Sequence, residues 1–158
     1  MDAIRLQRIA HWFYYKHIRI IPGILYKWIH FRYSSDISPV TKIGGGTTLG
    51  HGGIGVVINS KAVVGRNCII AQNVTLAGKD GGAPILNNWV YVGANSIILG
   101  KVKIGNNAFI GALSLVNKDV PDNAIVAGIP AKVIRYKTEE EIIEWHKWVL
   151  TQGGKPIG

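Results

Sequence analysis

Bulky aliphatic residues recur at every sixth position through the middle of this sequence. A period of six matches neither the repeat of an α-helix nor the simple alternation of one long strand. It predicts short strands separated by tight turns, with each aliphatic side chain pointing into a narrow core. The residues that keep this register are Ile37, Ile43, Leu49, Ile58, Val64, Ile70, Leu76, Leu86, Val92, Ile98, Ile104, Ile110 and Val116.

A second, usually smaller residue follows most of these aliphatics after four positions. We expect it to fill the corner beside the aliphatic, while nearby glycines supply unusual backbone angles at the turns. Three rungs then complete one triangular coil, and the coils stack into an all-β solenoid with parallel strands. The smaller residues are Ala62, Cys68, Val74, Ser96, Val102, Ala108 and Ser114.

The six-residue register is interrupted twice. The first interruption is the run His51-Gly52-Gly53-Ile54-Gly55, and the second is the glycine-rich stretch 77–84. Loops that leave a rigid scaffold are frequent sites of binding and catalysis. We therefore expect the functional residues of this chain to lie in or beside these two loops.

Helical segments are predicted on both sides of the solenoid. Residues 3–32 indicate one helix, or two helices broken near Pro22-Gly23. Residues 138–150 predict a short helix that starts with a capping box and places Ile142, Trp145 and Val149 on one face, before Gly153-Gly154 end the ordered chain. The capping box consists of Thr138 and Glu141. The predicted division is therefore an N-terminal helical segment (1–35), a β-helix domain (36–135) and a C-terminal helix with its tail (136–158).

The formal net charge is +9, and the N-terminal segment is especially basic. Its apolar and basic residues suit either a helix lying on anionic lipid or one packed on the solenoid or on a neighbouring subunit. Nucleic acid is the weakest candidate partner, because no nucleic-acid-binding motif is present. Without a transmembrane stretch or a signal peptide, we expect a cytoplasmic protein, with the inner face of the membrane as the place of any lipid contact. The basic residues are Arg5, Arg8, Lys16, Arg19, Lys27 and Arg32, against Asp2 alone.

Short motifs from Asp36 to Arg135 resemble those of the hexapeptide-repeat acyltransferases, and within them the serine O-acetyltransferase-like branch. This resemblance implies a left-handed parallel β-helix, acetyl-CoA as the acyl donor, no required metal, and a homotrimer with active sites between subunits. The motifs are Asp-Ile-Ser-Pro (36–39), Lys-Ile-Gly (42–44), Leu-Gly-His (49–51), Val-Val-Ile (56–58), Gln-Asn-Val-Thr-Leu (72–76), Val-Gly-Ala (92–94) and Gly-Ile-Pro-Ala-Lys-Val-Ile-Arg (128–135).

His51 and Asp36 are the candidate catalytic residues. Transfer of an acetyl group to a hydroxyl needs a base, and His51 is the only histidine inside the solenoid. Asp36 lies fifteen positions earlier, close to one coil of eighteen residues, so the two side chains could lie on neighbouring rungs. A carboxylate there would orient the imidazole and stabilise its protonated form. The catalytic pair of the resembled family falls on the same two positions.

The resemblance also implies a binding groove for coenzyme A. Its pantetheine-lining positions fall on Ala94, Ala112 and Asn117, and its phosphate and ribose contacts fall on Lys132 and Arg135. Cys68 occupies an inward repeat position, which favours an inert core thiol over a nucleophile.

Three positions depart from the serine acetyltransferase pattern. Gly50 stands where those enzymes carry an aspartate, and Gly82 and Ala83 stand where they carry an arginine–histidine pair. The sequence therefore favours a sugar or glycolipid hydroxyl as acceptor, as in the short surface-polysaccharide O-acetyltransferases that the chain also resembles. Serine acetylation for cysteine biosynthesis is the alternative.

A solenoid without acetyl transfer is a further alternative. A zinc-dependent anhydrase needs grouped histidines, but the other histidines lie outside the repeat. An ice-binding face needs ladders of threonine, and the threonines in the repeat are few. Those histidines are His11, His17, His30 and His146.

Overall fold

The computed structural model describes residues 2–18 and 20–152. Arg19, and the Gly153-Gly154 pair expected to end the ordered chain, lie outside the described residues.

The strands, numbered in chain order, form the three sides of a parallel solenoid of about four coils. Each coil gives one short strand to each side. Sheet A has, in spatial order, β1 (Asp36–Ile37), β4 (Val57–Ile58), β7 (Thr75–Ala77), β10 (Ile97–Leu99) and β13 (Leu115–Val116). Sheet B has β11 (Lys103–Ile104), β8 (Ile85–Leu86), β5 (Val63–Val64) and β2 (Lys42–Ile43). Sheet C has β15 (Ala131–Tyr136), β14 (Ala124–Gly128), β12 (Phe109–Ile110), β9 (Tyr91–Val92), β6 (Ile69–Ile70) and β3 (Thr48–Leu49).

The aliphatic positions of the repeat form the core, as the period of six predicted. All of them are buried except Ile43, which is half-buried and packs against the same cluster. Successive coils align in register, as in the pairing of Ile37 with Ile58 and of Ile58 with Leu76. The smaller corner residues are buried as well. The predicted parallel solenoid with helices at both ends is confirmed.

The last coil ends in a hairpin, because β14 pairs antiparallel with β15. The second interruption of the repeat forms a small turn between β7 and β8, closed by two backbone hydrogen bonds between Lys79 and Gly82.

Two helices cover the first coil. α1 (Ala3–Tyr15) packs on the solenoid through buried residues, and its Gln7 side chain donates a hydrogen bond to the Thr41 carbonyl. α2 (Ile20–Tyr33) follows and leads directly into β1. The sequence suggested a helix break near Pro22-Gly23, but α2 continues through both residues. Pro22 lies in the first turn of α2, where a helix needs no N–H donor, so proline is tolerated there.

α3 (Glu139–Gln152) packs on sheet C at the other end of the chain. Its predicted capping box is present: the Thr138 N–H donates to the Glu141 carboxylate at 2.9 Å, and the Glu141 N–H donates to the Thr138 hydroxyl at 3.3 Å. Val149 is buried, and Trp145 donates its indole N–H to the Trp89 carbonyl at 2.8 Å. No helix among residues 2–18 and 20–152 has the length and apolar content to cross a membrane.

Candidate active site

His51 lies in a short 3₁₀ turn, Gly50–Gly53, that interrupts the solenoid between β3 and β4. Its backbone is left-handed, with φ 49°, and Gly52 follows with φ 73°. A histidine in this region is uncommon, and such strained positions cluster at functional sites. The side chain is exposed, so this turn presents an imidazole to solvent at the corner between sheets C and A.

The His51 turn is tied to the chain segment that leads into Asp36. The Ser35 hydroxyl donates to the Gly53 carbonyl and accepts a hydrogen bond from the Val56 N–H at 3.2 Å. The Asp36 N–H then donates to the Val56 carbonyl at 3.0 Å. These bonds hold the turn against the start of β1 and bring the two candidate catalytic residues to one region.

Asp36 is held by a residue of α2. The Tyr26 hydroxyl donates a hydrogen bond to the Asp36 carboxylate at 2.7 Å, and this bond raises the pKa of the Tyr26 phenol. No hydrogen bond joins His51 to Asp36 within the described part of the chain. The nearest partner of the carboxylate is therefore a tyrosine that the sequence patterns did not single out.

His51, Ala94 and Ala112 come from the same corner of the first, third and fourth coils, and Gln72 holds that position in the second. Each lies two positions after a core residue, and these core residues are aligned across sheet C through Leu49, Ile70, Val92 and Ile110. The Leu113 N–H donates to the Ala94 carbonyl at 2.9 Å, which stacks the upper two coils directly. With about 4.8 Å between strands, this corner row runs for about 14 Å from the coil of His51 to that of Ala112.

Lys132 lies near the upper end of the corner row, and Arg135 does not. Lys132 of β15 lies opposite Ala127 of β14 in the terminal hairpin. Ala127 directly precedes Gly128, which is the position in register with Ala112 on the coil below. Its side chain is exposed and forms no ion pair among the described residues. Arg135 instead makes a two-pronged ion pair with Glu141 of α3, at 2.7 and 2.6 Å, which lowers the pKa of Glu141 to about 2. Of the two residues predicted to contact phosphate, Arg135 is already paired with a carboxylate, whereas Lys132 forms no ion pair among the described residues.

Asn117 is separated from the corner row. It directly follows β13 and so lies at the opposite edge of sheet A from Ala112. Within one subunit, the structure brings together His51, Ala94 and Ala112 but leaves Asn117 at a different corner.

The positions that depart from the serine acetyltransferase pattern carry no ionisable side chain in either loop. Gly50 stacks over Ala71, Gly82 lies against Lys101, and Ala83 is buried. A Cβ on Gly82 would come within 2.5 Å of the Lys101 side chain, so a larger residue there requires that lysine to move.

Cys68 is fully buried in the solenoid, where the corner position predicted it. Burial raises the pKa of its thiol to about 11, so it carries little thiolate near neutral pH.

Lys137 is a charged group that the sequence patterns missed. Its ammonium is buried without a hydrogen-bond partner, 5.0 Å from the centre of the Trp145 ring. Burial lowers the pKa of Lys137 to about 8.

Known proteins share both the architecture and much of the sequence. A serine acetyltransferase from Synechococcus elongatus is 42% identical over 137 residues, covering 84% of this chain and 56% of that protein. A crystal structure of serine acetyltransferase from Neisseria gonorrhoeae in complex with serine matches with a TM-score of 0.77 and 39% identity, covering 82% of this chain and 54% of that one. Over the matched residues, the chain is similar to serine acetyltransferases. A serine acetyltransferase structure in complex with CoA also matches, with a TM-score of 0.77 and 33% identity, covering 84% of this chain and 55% of that one.

The chain spans about half the length of the curated serine acetyltransferases it matches, 56% of the Synechococcus elongatus protein and 50% of the Escherichia coli protein. No protein-family model matches it. The resemblance to the serine acetyltransferase branch is confirmed, but the finer resemblance to surface-polysaccharide O-acetyltransferases is not supported by these relatives. The same matches count against a solenoid unrelated to acetyl transfer.

Proposed function

We propose that this chain is an acetyl-CoA-dependent O-acetyltransferase with serine as its first acceptor. The observation that carries this proposal is the corner row, in which His51 and two alanines are aligned along one edge with Lys132 near its upper end. The upper part of this edge suits an extended pantetheine arm, because the small side chains of Ala94 and Ala112 let the arm approach the backbone. The thioester would then lie beside His51 and the phosphates near Lys132.

His51 acts as general base in this proposal. As the acceptor oxygen bonds to the acetyl carbon, the imidazole takes the hydroxyl proton. The carbon–sulfur bond then breaks, and the imidazolium returns the proton to the departing CoA thiolate. Asp36 stabilises the imidazolium and orients the ring, while the Tyr26 hydroxyl holds the Asp36 carboxylate through a hydrogen bond. The chemistry requires no covalent intermediate on the protein.

A homotrimer with sites between subunits fits the surface of sheet A. The outward positions of this sheet form a row that includes Val57, Thr75, Ile97 and Leu115, in register from coil to coil. Val57 and Ile97 are exposed, so the row offers an apolar face for another subunit. Asn117 lies at the far edge of this face and would reach a corner row only from a neighbouring subunit.

The charge at the top of the groove comes from Lys132 in this proposal. Arg135 would contribute only after leaving Glu141, and breaking a two-pronged ion pair removes two charge-assisted hydrogen bonds. We therefore assign Lys132 the phosphate contact and give Arg135 the role of fixing α3 to β15.

Serine is the first acceptor because the related proteins named above are serine acetyltransferases, one of them solved in complex with serine. A neutral sugar hydroxyl is the second candidate, and the residues at positions 50, 82 and 83 favour it. Glycine and alanine there offer no charge to a zwitterionic amino acid, and burying an ammonium or a carboxylate unpaired is costly.

Steady-state kinetics decide between these acceptors. We expect kcat/KM for serine to exceed that for each member of a panel of hexoses and nucleotide sugars by at least about tenfold, because the similar proteins are serine acetyltransferases and enzymes discriminate substrates through kcat/KM. Thiol release from acetyl-CoA gives the rate, and mass spectrometry identifies the acetylated product. Efficient acetylation of a sugar without formation of O-acetylserine would replace serine by the second candidate. Failure of every acceptor would remove the proposed activity.

A further inference from the structure

α2 has two opposite faces with different surroundings. Its inner face carries the buried residues Pro22 and Ile29, together with Tyr26, which binds Asp36. Its outer face carries four large apolar side chains that contact solvent. These four residues, the α2 stripe, are Ile20, Ile24, Trp28 and Phe31, with 78%, 61%, 56% and 86% of their surface exposed.

The α2 stripe is continuous along the helix. Residues in an α-helix are rotated by about 100° from one to the next, so the four side chains fall within a sector of about 80°. Tyr26 points about 160° away from the middle of that sector. A soluble helix normally keeps its widest apolar sector toward the core. Here a second apolar sector is left uncovered, and exposed apolar patches of this kind mark interaction surfaces.

The charge around the α2 stripe is uniformly positive. Lys27 lies about 20° from Ile20 around the helix, and Arg32 lies about 40° from Trp28. Both side chains are exposed. No aspartate or glutamate occurs between Ala3 and Ser35. An apolar stripe bordered only by cations complements a surface that is apolar inside and anionic at its boundary.

We propose that the outer face of α2 docks on an anionic phospholipid membrane, with Trp28 and Phe31 entering the acyl boundary and Lys27 contacting lipid phosphates. Tryptophan suits this depth because its ring is apolar and its N–H is polar. A second copy of the chain fits the face less well, since pairing two stripes would bring their Lys27 and Arg32 side chains together. Docking would use the outer face of α2 while Tyr26 on the inner face stays on Asp36.

Vesicle co-sedimentation of the full chain tests this inference. One set of vesicles is pure phosphatidylcholine, and the other is an equal mixture of phosphatidylcholine and phosphatidylglycerol. We expect binding to the mixed vesicles only, weakening as salt screens the charges. Trp28→Ser combined with Phe31→Ser should weaken binding by about tenfold or more, because two large apolar side chains no longer enter the membrane. Lys27→Glu should weaken it by about tenfold.

Control variants elsewhere on the surface test whether the loss of vesicle binding is specific to the outer face of α2. Ile143 and Leu150 on α3 are 67% and 69% exposed, and replacing both by serine should leave vesicle binding unchanged. Lys61→Glu makes the same charge change away from α2, and its loss of binding should be much smaller than that of Lys27→Glu. If the double serine variant on α2 fails to fold by circular dichroism, the two charge variants decide alone.

The results that would overturn the proposal are specific. They are absence of binding to the mixed vesicles, equal binding of the Lys27→Glu and Lys61→Glu variants, or a concentration-dependent self-association that the α2 serine variant abolishes. The last result would assign the stripe to a second copy. Acetyl transfer to a soluble acceptor, measured without vesicles, should be the same for all folded variants, so the docking proposal and the proposed function can fail separately.

Discussion

Tyr26 shows how a residue outside the solenoid reaches its candidate active site. Asp36 begins the first strand, and its carboxylate accepts the Tyr26 hydroxyl at 2.7 Å. Because this hydrogen bond already fixes the Asp36 carboxylate, little further conformational entropy is lost when the carboxylate orients His51. Tyr26 is therefore a positioning residue, which acts through Asp36 rather than on the reacting atoms.

Replacing Tyr26 by phenylalanine tests that role. We expect kcat to fall by about fivefold, the loss of one hydrogen bond of about 1 kcal/mol, while KM for acetyl-CoA stays the same. Asp36→Asn should cost more than this. Tyr14→Phe is the matched control, because Tyr14 and Tyr26 line one pocket between α1, α2 and the first coil, and the Tyr14 hydroxyl makes no hydrogen bond within residues 2–18 and 20–152. Equal kcat in the Tyr26→Phe variant and wild type would show that Asp36 needs no help from α2.

At the residue scale, His51 and Asp36 could be found from the sequence, but Tyr26 could not. His51 stood out because it is the single histidine of the repeat, and Asp36 because its spacing is close to one coil. Tyr26 is one of several aromatic residues in a helix. Nothing in the spacing of that helix shows which side faces Asp36, since both of its faces carry apolar residues.

At the scale of elements, the contact of α3 with sheet C encloses a charge. The Lys137 ammonium lies 5.0 Å from the centre of the Trp145 ring and 5.7 Å from that of Phe109. The rings attract the ammonium. Loss of hydration outweighs this attraction and lowers the pKa of Lys137 to about 8, from an ordinary value of 10.5. Folding below that pH therefore carries the cost of burying a charge.

Because the buried Lys137 ammonium destabilises the fold, the effect of Lys137→Met on the free energy of unfolding should depend on pH. Between about pH 8 and 10.5 the unfolded wild-type chain binds more protons than the folded one, so wild-type stability rises with pH through that window. Below pH 8 the full penalty is present, and the methionine variant should be more stable than wild type. Because the side chain is only half-buried, we expect about 1 kcal/mol at pH 7, falling to nothing near pH 10.5.

Chemical denaturation at pH 7, 9 and 10.5 measures the difference. Lys147→Met, an exposed change on α3, is the control and should show no such pH dependence. A methionine variant at position 137 that is less stable than wild type at pH 7 would mean that the aromatic rings stabilise the ammonium more than burial destabilises it.

The elements themselves followed from local patterns, with one exception. The period of six placed the strands, and the Thr138–Glu141 box placed the start of α3. The predicted helix break at Pro22 was wrong because proline stops a helix only beyond its first turn. The pairing of Arg135 with Glu141 could not be foreseen, since it depends on how α3 returns to β15.

At the scale of the whole molecule, the solenoid and α2 together present three surfaces for different uses. The corner row serves coenzyme A, the apolar outer row of sheet A serves a neighbouring subunit, and the α2 stripe serves the membrane in the proposals above. The coil architecture could be derived from the repeat because each rung contacts only its neighbours. The acceptor could not be derived in this way, because glycines at positions 50 and 82 show only which side chains are absent there.

The most direct test of the account concerns His51. His51→Asn keeps the left-handed backbone that asparagine tolerates but removes the base. We predict that thiol release from acetyl-CoA in the presence of acceptor falls by about a hundredfold or more, with an unchanged Tm, because general-base catalysis contributes at least that much. His30→Ala, at an exposed histidine outside the solenoid, should retain the wild-type rate. Turnover by the His51→Asn enzyme within about threefold of wild type would contradict the central claim that His51 is the base.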